Sequence, residues 1–256
     1  MPALENTIDI GELRESCARC ALIHLCLAAA IDAGDIRRLD RIVKQRRPLS
    51  RNEYLFREGS RHTSLFVVRS GAIKTSTVLP EGDNQVLGFH LPGEIIGLDG
   101  VASERHQASA EALEESSVCE IPFEKLSEVA AQLPALQRQI YRIVSREFVR
   151  EQQHPVMMGR KHALTRLALF LHGVSERRSA HALDPVEFQL SMSRQDLANY
   201  LGLVIETVSR VFTRLQLLGI LRVERRSVHI LDHDGLALLA ENAEKNDEET
   251  SRQAIS

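Results

Sequence analysis

The sequence predicts an α+β fold in which a β-roll, a long helix and a winged helix–turn–helix follow one another. Three observations support this order. Short segments rich in β-branched residues alternate with glycine turns from about residue 49 to residue 123. A helical period with two apolar faces follows Pro134. From residue 191, a capped helix, a glycine turn and a second amphipathic helix have the spacing of a helix–turn–helix.

The composition is that of a globular protein, with 256 residues, 43% hydrophobic and 26% charged. No apolar run reaches the roughly 18 residues of a membrane helix, and the N-terminus lacks the basic start and apolar core of a signal peptide. We therefore expect a cytoplasmic protein with no membrane partner. The net charge is −3, but Lys and Arg outnumber Asp and Glu over residues 160–235, which favours a nucleic-acid partner for that region alone.

The four cysteines are arranged in a way that indicates a metal site. Cys17, Cys20 and Cys26 are close together in the sequence, and Cys119 follows much later. Because cytoplasmic thiols stay reduced, such a set is more typical of metal binding than of disulfides. Four converging thiolates suit either a tetrahedral zinc ion or an iron–sulfur cluster. Zinc sites of this kind usually combine two Cys-x2–4-Cys pairs, whereas only Cys17 and Cys20 form such a pair, so zinc is the secondary alternative.

The segment before the long helix divides into two predicted parts. Residues 1–29 form an N-terminal segment that carries three of the cysteines, and residues 30–134 form the β-roll sensor domain. A short helix is predicted over residues 31–43, because apolar side chains recur there at helical spacing. Four glycines in the strand region are expected to occupy turns with positive φ. They are Gly71, Gly82, Gly93 and Gly97.

The long helix, predicted over residues 135–158, has a second apolar face that predicts a homodimer. Leu136, Ile140 and Ile143 form the first face. The second face has the 3-4 spacing of a coiled-coil seam and consists of Tyr141, Val144, Phe148, Glu151, Pro155 and Met158. A helix with two such faces can pack on its own domain and on a second copy related by a two-fold axis. Two members of the seam are unusual, since Glu151 would meet its like charge in the dimer and Pro155 is expected to kink or end the helix. Glu151 therefore either reaches solvent or makes the dimer marginal.

The helix–turn–helix lies in the predicted DNA-binding domain, residues 159–240. Ser193 is the predicted N-cap of its first helix, with Asp196 in a capping-box relation, and Gly202 ends that helix. The second helix, predicted over about 205–218, buries one face, formed by Val208, Val211, Phe212, Leu215 and Leu218. Its exposed face is predicted to read base edges in the major groove. That face consists of Glu206, Ser209, Arg210 and Thr213.

Two alternating strands around a basic turn follow the second helix and resemble a wing. Arg225 and Arg226 lie in this turn and are predicted to contact phosphates. The sequence from residue 241 to residue 256 is polar and charged, and it is predicted to be disordered.

The order of these elements resembles the CRP/FNR superfamily of bacterial transcription regulators, and in particular its oxygen-sensing FNR branch. The family pattern Cys-x2-Cys-x5-Cys is present at Cys17, Cys20 and Cys26, and Cys119 stands before Glu-Ile-Pro-Phe as in the family. The Glu-x-x-Ser-Arg recognition signature is present at Glu206 to Arg210. The resemblance covers about residues 17 to 240.

The resemblance implies a jelly roll of the cyclic-nucleotide-binding type and a 4Fe-4S cluster held by the four cysteines. It also implies that the cluster favours a homodimer that binds double-stranded DNA at TTGAT-N4-ATCAA palindromes and regulates anaerobic genes. Oxygen would destroy the cluster and weaken both the dimer and DNA binding. RNA polymerase is an implied partner.

The sequence argues against two alternative functions, a cyclic-nucleotide sensor and an enzyme. In the cyclic-nucleotide branch of the superfamily, a Gly-Glu and a later Arg-Ser-Ala bind the ligand. Gly93 and Glu94 are present, but the later stretch contains Gln107 to Ala110 with no Arg next to Ser, so no cyclic nucleotide is expected. An enzyme is not expected either, since the sequence contains neither a G-x-G-x-x-G nor a P-loop motif.

Overall fold

The computed structural model describes residues 17, 20, 22, 26–159, 162–181 and 183–241. Most of the predicted N-terminal segment, and the predicted disordered tail apart from Glu241, lie outside the described residues. Among the helices of the described ranges, none combines the length and apolarity needed to cross a bilayer.

Eight short strands form the β-roll. They are β1 (Lys44–Gln45), β2 (Tyr54–Phe56), β3 (Ser64–Ser70), β4 (Ile73–Val78), β5 (Asn84–His90), β6 (Ile95–Ile96), β7 (Ser109–Ala112) and β8 (Ser117–Pro122). They make two antiparallel sheets, with strand orders β1-β8-β3-β6 and β2-β7-β4-β5. Apolar side chains from both sheets, such as Val68 and Ile73, fill the space between them.

Glycine turns join these strands as predicted, since Gly71, Gly82, Gly93 and Gly97 all have positive φ. The turn at Gly71, with φ of 78°, shows why the residue is needed. A Cβ atom there would lie 2.5 Å from the carbonyl oxygen of Glu115 and 2.8 Å from the Cα of Ser116. Any side chain would therefore displace the backbone before β8.

Three helices and a short 3-10 helix cover one outer face of the β-roll. The 3-10 helix is Leu27–Ala30, and it precedes α1 (Ala33–Ile42), α2 (Phe123–Gln132) and α3 (Pro134–Met158). Helix α1 begins at Asp32, whose carboxylate accepts hydrogen bonds from the backbone N–H groups of Gly34 and Asp35, both at 3.0 Å. These helices share an apolar core with strands β3, β6 and β8.

Helix α3 continues past Pro155 and ends at Met158, so the proline does not end the helix. Pro155 cannot donate to the carbonyl of Glu151 because it has no N–H. The helix continues because later groups anchor its final turn. The Gly159 N–H donates to the Pro155 carbonyl at 2.9 Å, and the Met157 side chain is buried.

The C-terminal domain is the predicted winged helix–turn–helix with one additional strand. Its elements are α4 (Ala163–Ala180), β9 (Glu187–Gln189), α5 (Arg194–Leu201), α6 (Ile205–Leu217), β10 (Leu221–Glu224), β11 (Ser227–Ile230) and α7 (His233–Glu241). Ser193 and Asp196 form the predicted capping box, and Gly202 ends α5 with φ of 60°. The wing hairpin β10–β11 gains β9 as a third strand, which was not predicted.

The prediction that Leu218 is buried was wrong, because 43% of its surface is exposed. Helix α6 ends one residue earlier, at Leu217, and Gly219 then turns the chain with φ of 72°. The side chain of Ile220 takes the buried position instead. The other predicted inner residues of α6, from Val208 to Leu215, are buried.

Candidate functional site

The four cysteines lie around one pocket between the N-terminal segment and the β-roll. Cys119 is held in the middle of β8, where it pairs with Val67 of β3 and Gln45 of β1. Cys17 is fixed from the other side, since its backbone N–H donates to Asp40 of α1 at 2.9 Å. The other lining residues are Leu22, Leu27, Leu39, Val43, Val67, Val68, Arg69 and Ile121. As far as the described residues line it, the pocket is therefore apolar apart from the four sulfur atoms and Arg69.

The surroundings of the thiols disfavour free thiolates. Burial raises the pKa values of Cys17 and Cys26 and raises the pKa of Cys119 to about 11. Neighbouring cysteines and Asp40 add to this effect, whereas the positive charge of Arg69 lowers the pKa of Cys119. Thiolates at such a site become favourable once a cation binds them, because the cation replaces lost solvation.

The donor set of this pocket fits a sulfur-liganded metal group. Among the described residues, those that line the pocket supply four thiols and neither a carboxylate nor an imidazole, and soft thiolates select zinc or iron–sulfur clusters. Within the part of the chain that the structure describes, no three His, Cys, Asp or Glu side chains are placed to hold a metal ion.

The second face of α3 is exposed where the sequence predicts a dimer seam. The exposed fractions are 64% for Tyr141, 42% for Val144 and 62% for Phe148, and Glu151 is also exposed. On the opposite face, Leu136 and Ile143 are buried in the core that contains the cysteines. Exposed aromatic and aliphatic side chains in line on one helix form an apolar surface suited to a second copy of the helix.

A buried carboxylate joins the β-roll, α3 and the C-terminal domain. Glu94 is only 6% exposed, and its oxygens lie 3.0 Å from Arg150 Nη1 of α3 and 3.1 Å from Arg177 Nη1 of α4. Burial opposes the ionisation of Glu94, but the charges of Arg177 and Arg150 hold its pKa down at about 2. Glu94 is therefore a charged buried group that fixes three parts of the chain to each other.

The first helix of the helix–turn–helix also contacts the β-roll directly. Lys74 Nζ of β4 lies 2.8 Å from Asp196 Oδ1, and Val86 of β5 donates its backbone N–H to Asn199 Oδ1 at 2.6 Å. Asn199 Nδ2 in turn donates to the carbonyl of Asn84 at 2.7 Å. Helix α5 consequently packs along β5, and the C-terminal domain has a defined position on the β-roll.

The predicted recognition residues share the outer face of α6. Glu206, Ser209, Arg210 and Thr213 are all exposed. Two of the hydroxyl groups bond within the helix, since Ser209 donates to the Ile205 carbonyl at 3.0 Å and Thr213 donates to the Ser209 carbonyl at 3.2 Å. Arg210 donates to Thr207 Oγ1 at 3.5 Å. The carboxylate of Glu206 and the guanidinium of Arg210 thus project from one side near the start of the helix.

The two arginines of the wing differ in their surroundings. Arg225 is exposed at the tip of the β10–β11 turn, with φ of 56°. Arg226 is also exposed, but its Nη1 donates to the carbonyl of Ser191 at 3.2 Å. Arg225 is therefore the more readily available cation at the wing tip, while Arg226 also ties the wing to the loop before α5.

Sequence reasoning missed two residues at these sites. In the sequence, Glu94 stands out only as half of a nucleotide-binding motif, and its arginine partners are too distant in sequence to be found from any local pattern. Gln139 is buried on α3, where it donates to the carbonyl of Cys26. Its signal was present, because it is a polar residue three positions after Leu136 on an apolar helix face.

Comparison with known proteins supports these observations. Residues 46–132 match the family described as the cyclic nucleotide-binding domain, and residues 165–239 match the Crp-like helix-turn-helix domain. Transcriptional activator protein anr of Pseudomonas aeruginosa is 46% identical over 238 residues, which cover 93% of this chain and 98% of that protein. The fumarate and nitrate reduction regulatory protein of Escherichia coli K12 is 38% identical over 233 residues, covering 91% and 93% respectively.

A solved structure gives the same fold. FixK2 from Bradyrhizobium japonicum superimposes with a TM-score of 0.71 and 28% sequence identity, covering 79% of this chain and all of that one. These matches confirm the predicted α+β fold, with its jelly roll and its helix–turn–helix. The similar proteins are transcription regulators and not enzymes, and the family supports both DNA binding and dimerisation. The chain belongs to the Crp/Fnr family of transcription regulators, together with Anr and the fumarate and nitrate reduction regulators.

Proposed function

We propose that this regulator responds to oxygen through a 4Fe-4S cluster held by Cys17, Cys20, Cys26 and Cys119. The observation that carries the proposal is the pocket itself, which brings four thiols together and, within the described part of the chain, no other metal-binding side chain among its lining residues. When bound, such a cluster supplies a reactivity towards oxygen that a zinc ion, which has no redox chemistry, lacks. Arg69 would partly offset the negative charge of the four thiolates.

The residues around the pocket give the site a means of signalling. Cys119 belongs to the rigid sheet, while Cys17, Cys20 and Cys26 belong to the segment that leads into the 3-10 helix Leu27–Ala30. A group that binds all four thiols would tie this segment to β8. Leu27 and Ala28 are buried in the core that contains Leu136 and Ile143 of α3. Release of the segment would therefore disturb the packing against α3.

In this proposal, the state of the cysteine site controls dimerisation through the exposed seam of α3. Burying Tyr141, Val144 and Phe148 against a second copy removes apolar surface from water and favours the dimer. Glu151 opposes it, because the two carboxylates approach each other across the two-fold axis. A dimer with such opposing contributions is marginally stable. A change of about 3 kcal/mol in the free energy of dimerisation alters its dissociation constant more than a hundredfold.

A dimer of this kind would place two α6 helices in successive major grooves of a palindrome. We propose TTGAT-N4-ATCAA sites, in which half-sites about one helical turn apart, roughly 34 Å, match a two-fold dimer. Each half-site contains one G·C pair, which suits guanine recognition by Arg210 and cytosine recognition by Glu206. Ser209 and Thr213 would add contacts on the same face, and Arg225 and Arg226 would bind phosphates. RNA polymerase, a further proposed partner, would meet the bound regulator at its promoters.

The alternative of a cyclic-nucleotide sensor is disfavoured by the surroundings of Glu94. Its carboxylate already accepts from Arg177 at 3.1 and 3.2 Å and from the backbone N–H of Leu91 at 2.9 Å, besides its ion pair with Arg150. Gln107, in the stretch where such a sensor has a phosphate-binding arginine, bonds to Ser103 at 2.8 Å. A nucleotide would find the carboxylate occupied, and the neutral Gln107 would not supply the positive charge that its phosphate needs.

A DNA-binding titration with and without air tests the proposal. Purified without oxygen, the wild-type protein should bind a TTGAT-N4-ATCAA duplex tightly and lose this affinity after exposure to air. The Cys119→Ala variant should bind weakly under both conditions, because the segment is no longer tied to β8. If Cys119→Ala binds as tightly as the wild type without oxygen, the proposal is wrong. If the wild type contains zinc and its DNA affinity does not change in air, the alternative of a zinc-stabilised DNA-binding protein replaces the proposal.

A further inference from the structure

Gln139 is a buried polar side chain on the inner face of α3. Only 5% of its surface is exposed. The residues one helical turn to either side, Leu136 and Ile143, are buried in the apolar core that also contains Leu27 and Ala28. An amide in such surroundings is unfavourable unless its N–H and carbonyl groups are hydrogen-bonded.

The Gln139 amide is bonded to a residue of the cysteine pocket. Its Nε2 donates to the backbone carbonyl of Cys26 at 3.3 Å. The same carbonyl accepts the backbone N–H of Ala29 at 3.1 Å, which forms the first turn of the 3-10 helix. Gln139 therefore holds the point at which the cysteine segment enters that helix.

The turn of α3 that contains Gln139 also carries the first residue of the dimer seam. Tyr141 is two positions after Gln139 and is exposed. A surface groove between the 3-10 helix and α3 is lined by Ala29, Gln139, Tyr141, Arg142, Ser145 and Arg146. Displacement of the Cys26 carbonyl thus acts on the same turn from which Tyr141 projects.

We propose that Gln139 is the positioning residue that couples the cysteine site to the dimer seam. The inference rests on the proposed function, because it requires a cluster-dependent dimer. While the four cysteines hold the cluster, the Cys26 carbonyl keeps its hydrogen bond from the Gln139 amide. The first turns of α3 then keep the geometry that the dimer needs. When the segment is released, the buried amide loses its partner. The Gln139 side chain then needs another hydrogen-bond acceptor, and the turn that carries Tyr141 rearranges.

A purely structural role for Gln139 makes a different prediction. If the amide only stabilised the fold of α3, its removal would weaken the dimer to the same extent with and without the cluster. If it couples the two sites, its removal would change the ratio of the two dimer dissociation constants. The ratio is therefore the quantity to measure, and the strength of the dimer alone is not sufficient.

The experiment compares Gln139→Leu with Gln137→Leu, a control at an exposed position of the same helix. Dimer dissociation constants are measured by sedimentation without oxygen for the cluster-loaded protein and for protein freed of its cluster. In the wild type and in Gln137→Leu, loading should strengthen the dimer by the same factor. In Gln139→Leu, iron content and absorbance should be unchanged, but the factor should fall by about tenfold, the size expected when a buried amide loses its partner. Gln139→Met, an unbranched side chain that cannot donate, replaces the leucine variant if the latter does not fold.

The outcomes separate this inference from the proposed function. If the wild type shows the loading effect and the folded Gln139 variant retains its full size, the coupling role of Gln139 is overturned and the proposed function stands. If the wild type binds no iron, or its dimer does not depend on loading, the proposed function fails and the coupling role fails with it.

Discussion

Arg177 Nη1 lies 3.1 and 3.2 Å from the two carboxylate oxygens of Glu94, which connects the DNA-binding domain to the β-roll. The same carboxylate lies 3.0 Å from Arg150 Nη1 on the dimer helix. The three side chains belong to three separate parts of the chain, and Glu94 is the shared buried partner. Glu94 therefore contributes to the orientation of the DNA-binding domain relative to the dimer helix, beside the contacts of Asp196 and Asn199 with the β-roll.

Replacing that carboxylate should destabilise the protein strongly. In Glu94→Gln, the neutral amide removes the negative charge that Arg150 and Arg177 share, while Arg150 keeps its ion pair with Glu147. Removing one partner of a buried ion pair costs about 3–5 kcal/mol, and we expect a loss of this order in the free energy of unfolding. Urea denaturation followed by circular dichroism measures it. The control is Glu224→Gln in the exposed Arg222–Glu224 pair of the wing, which should leave the unfolding midpoint in place. Equal midpoints for both variants would show that the Glu94 cluster contributes no stability.

His90 should make the stability of the protein depend on pH. Its Nδ1 lies 3.2 Å from Arg150 Nη2 and its Nε2 lies 3.1 Å from Thr75 Oγ1, so the ring accepts from the arginine and is neutral. Burial, reinforced by the charge of Arg150, lowers the pKa of His90 to about 3 from an ordinary value of 6.5.

Because the folded pKa lies below the unfolded one, His90 contributes stability that is present above pH 6.5 and lost as the pH falls towards 3. The unfolding free energy should fall by about 1 kcal/mol per pH unit from this residue below about pH 6. His90→Gln, which cannot titrate, should remove this part of the slope between about pH 6 and pH 4.5 in denaturation experiments. An identical slope in the variant and the wild type would mean that His90 is not buried neutral.

Glu206 should contribute, together with Arg210, to the base preference at the single G·C pair of each half-site. Its carboxylate is exposed on the outer face of α6, four residues before Arg210. In Glu206→Ala, replacing this pair by A·T should affect binding much less than in the wild type, where the change should cost about 1–3 kcal/mol. Fluorescence anisotropy with the two duplexes gives both values. If the variant discriminates as well as the wild type, Glu206 does not read the base.

Arg225 should contribute affinity without sequence preference. The residue stands at the wing tip with φ of 56°, a conformation that asparagine adopts more readily than most residues. Arg225→Asn therefore removes the charge and keeps the turn. Binding should weaken to a similar degree for palindromic and unrelated duplexes, and the slope of log affinity against log salt should become shallower by about one. A loss confined to the palindrome would instead assign a base contact to Arg225.

The parts of the fold with local signals could be predicted from the sequence. The capping box at Ser193 and Asp196, the left-handed Gly202 and the amphipathic spacing of α6 each involve residues within a few positions, so the helix–turn–helix was foreseen. The exact ends of the helices were harder to predict from the sequence. Leu218 and Ile220 both fit the apolar pattern after α6, and only the turn at Gly219 decides which of them is buried.

Contacts between distant parts of the chain could not be predicted in this way. The Lys74–Asp196 pair and the Glu94–Arg177 pair join residues that share no periodicity. The capping role of Asp196 was visible, but its second role against the β-roll depends on how the two domains pack. The convergence of Cys119 with the N-terminal cysteines was foreseen from the family pattern, whereas the Gln139 bond to Cys26 depends on the path of the chain after the last cysteine.

The most direct test of the central proposal is an anaerobic absorbance spectrum and iron count, followed by air exposure while sedimentation records the dimer. We expect about four iron atoms per chain with visible cluster absorbance, and we expect bleaching of this absorbance and loss of the dimer to occur together. If the protein contains no iron, or if its dimer persists unchanged after the absorbance has been lost, the proposed function is wrong.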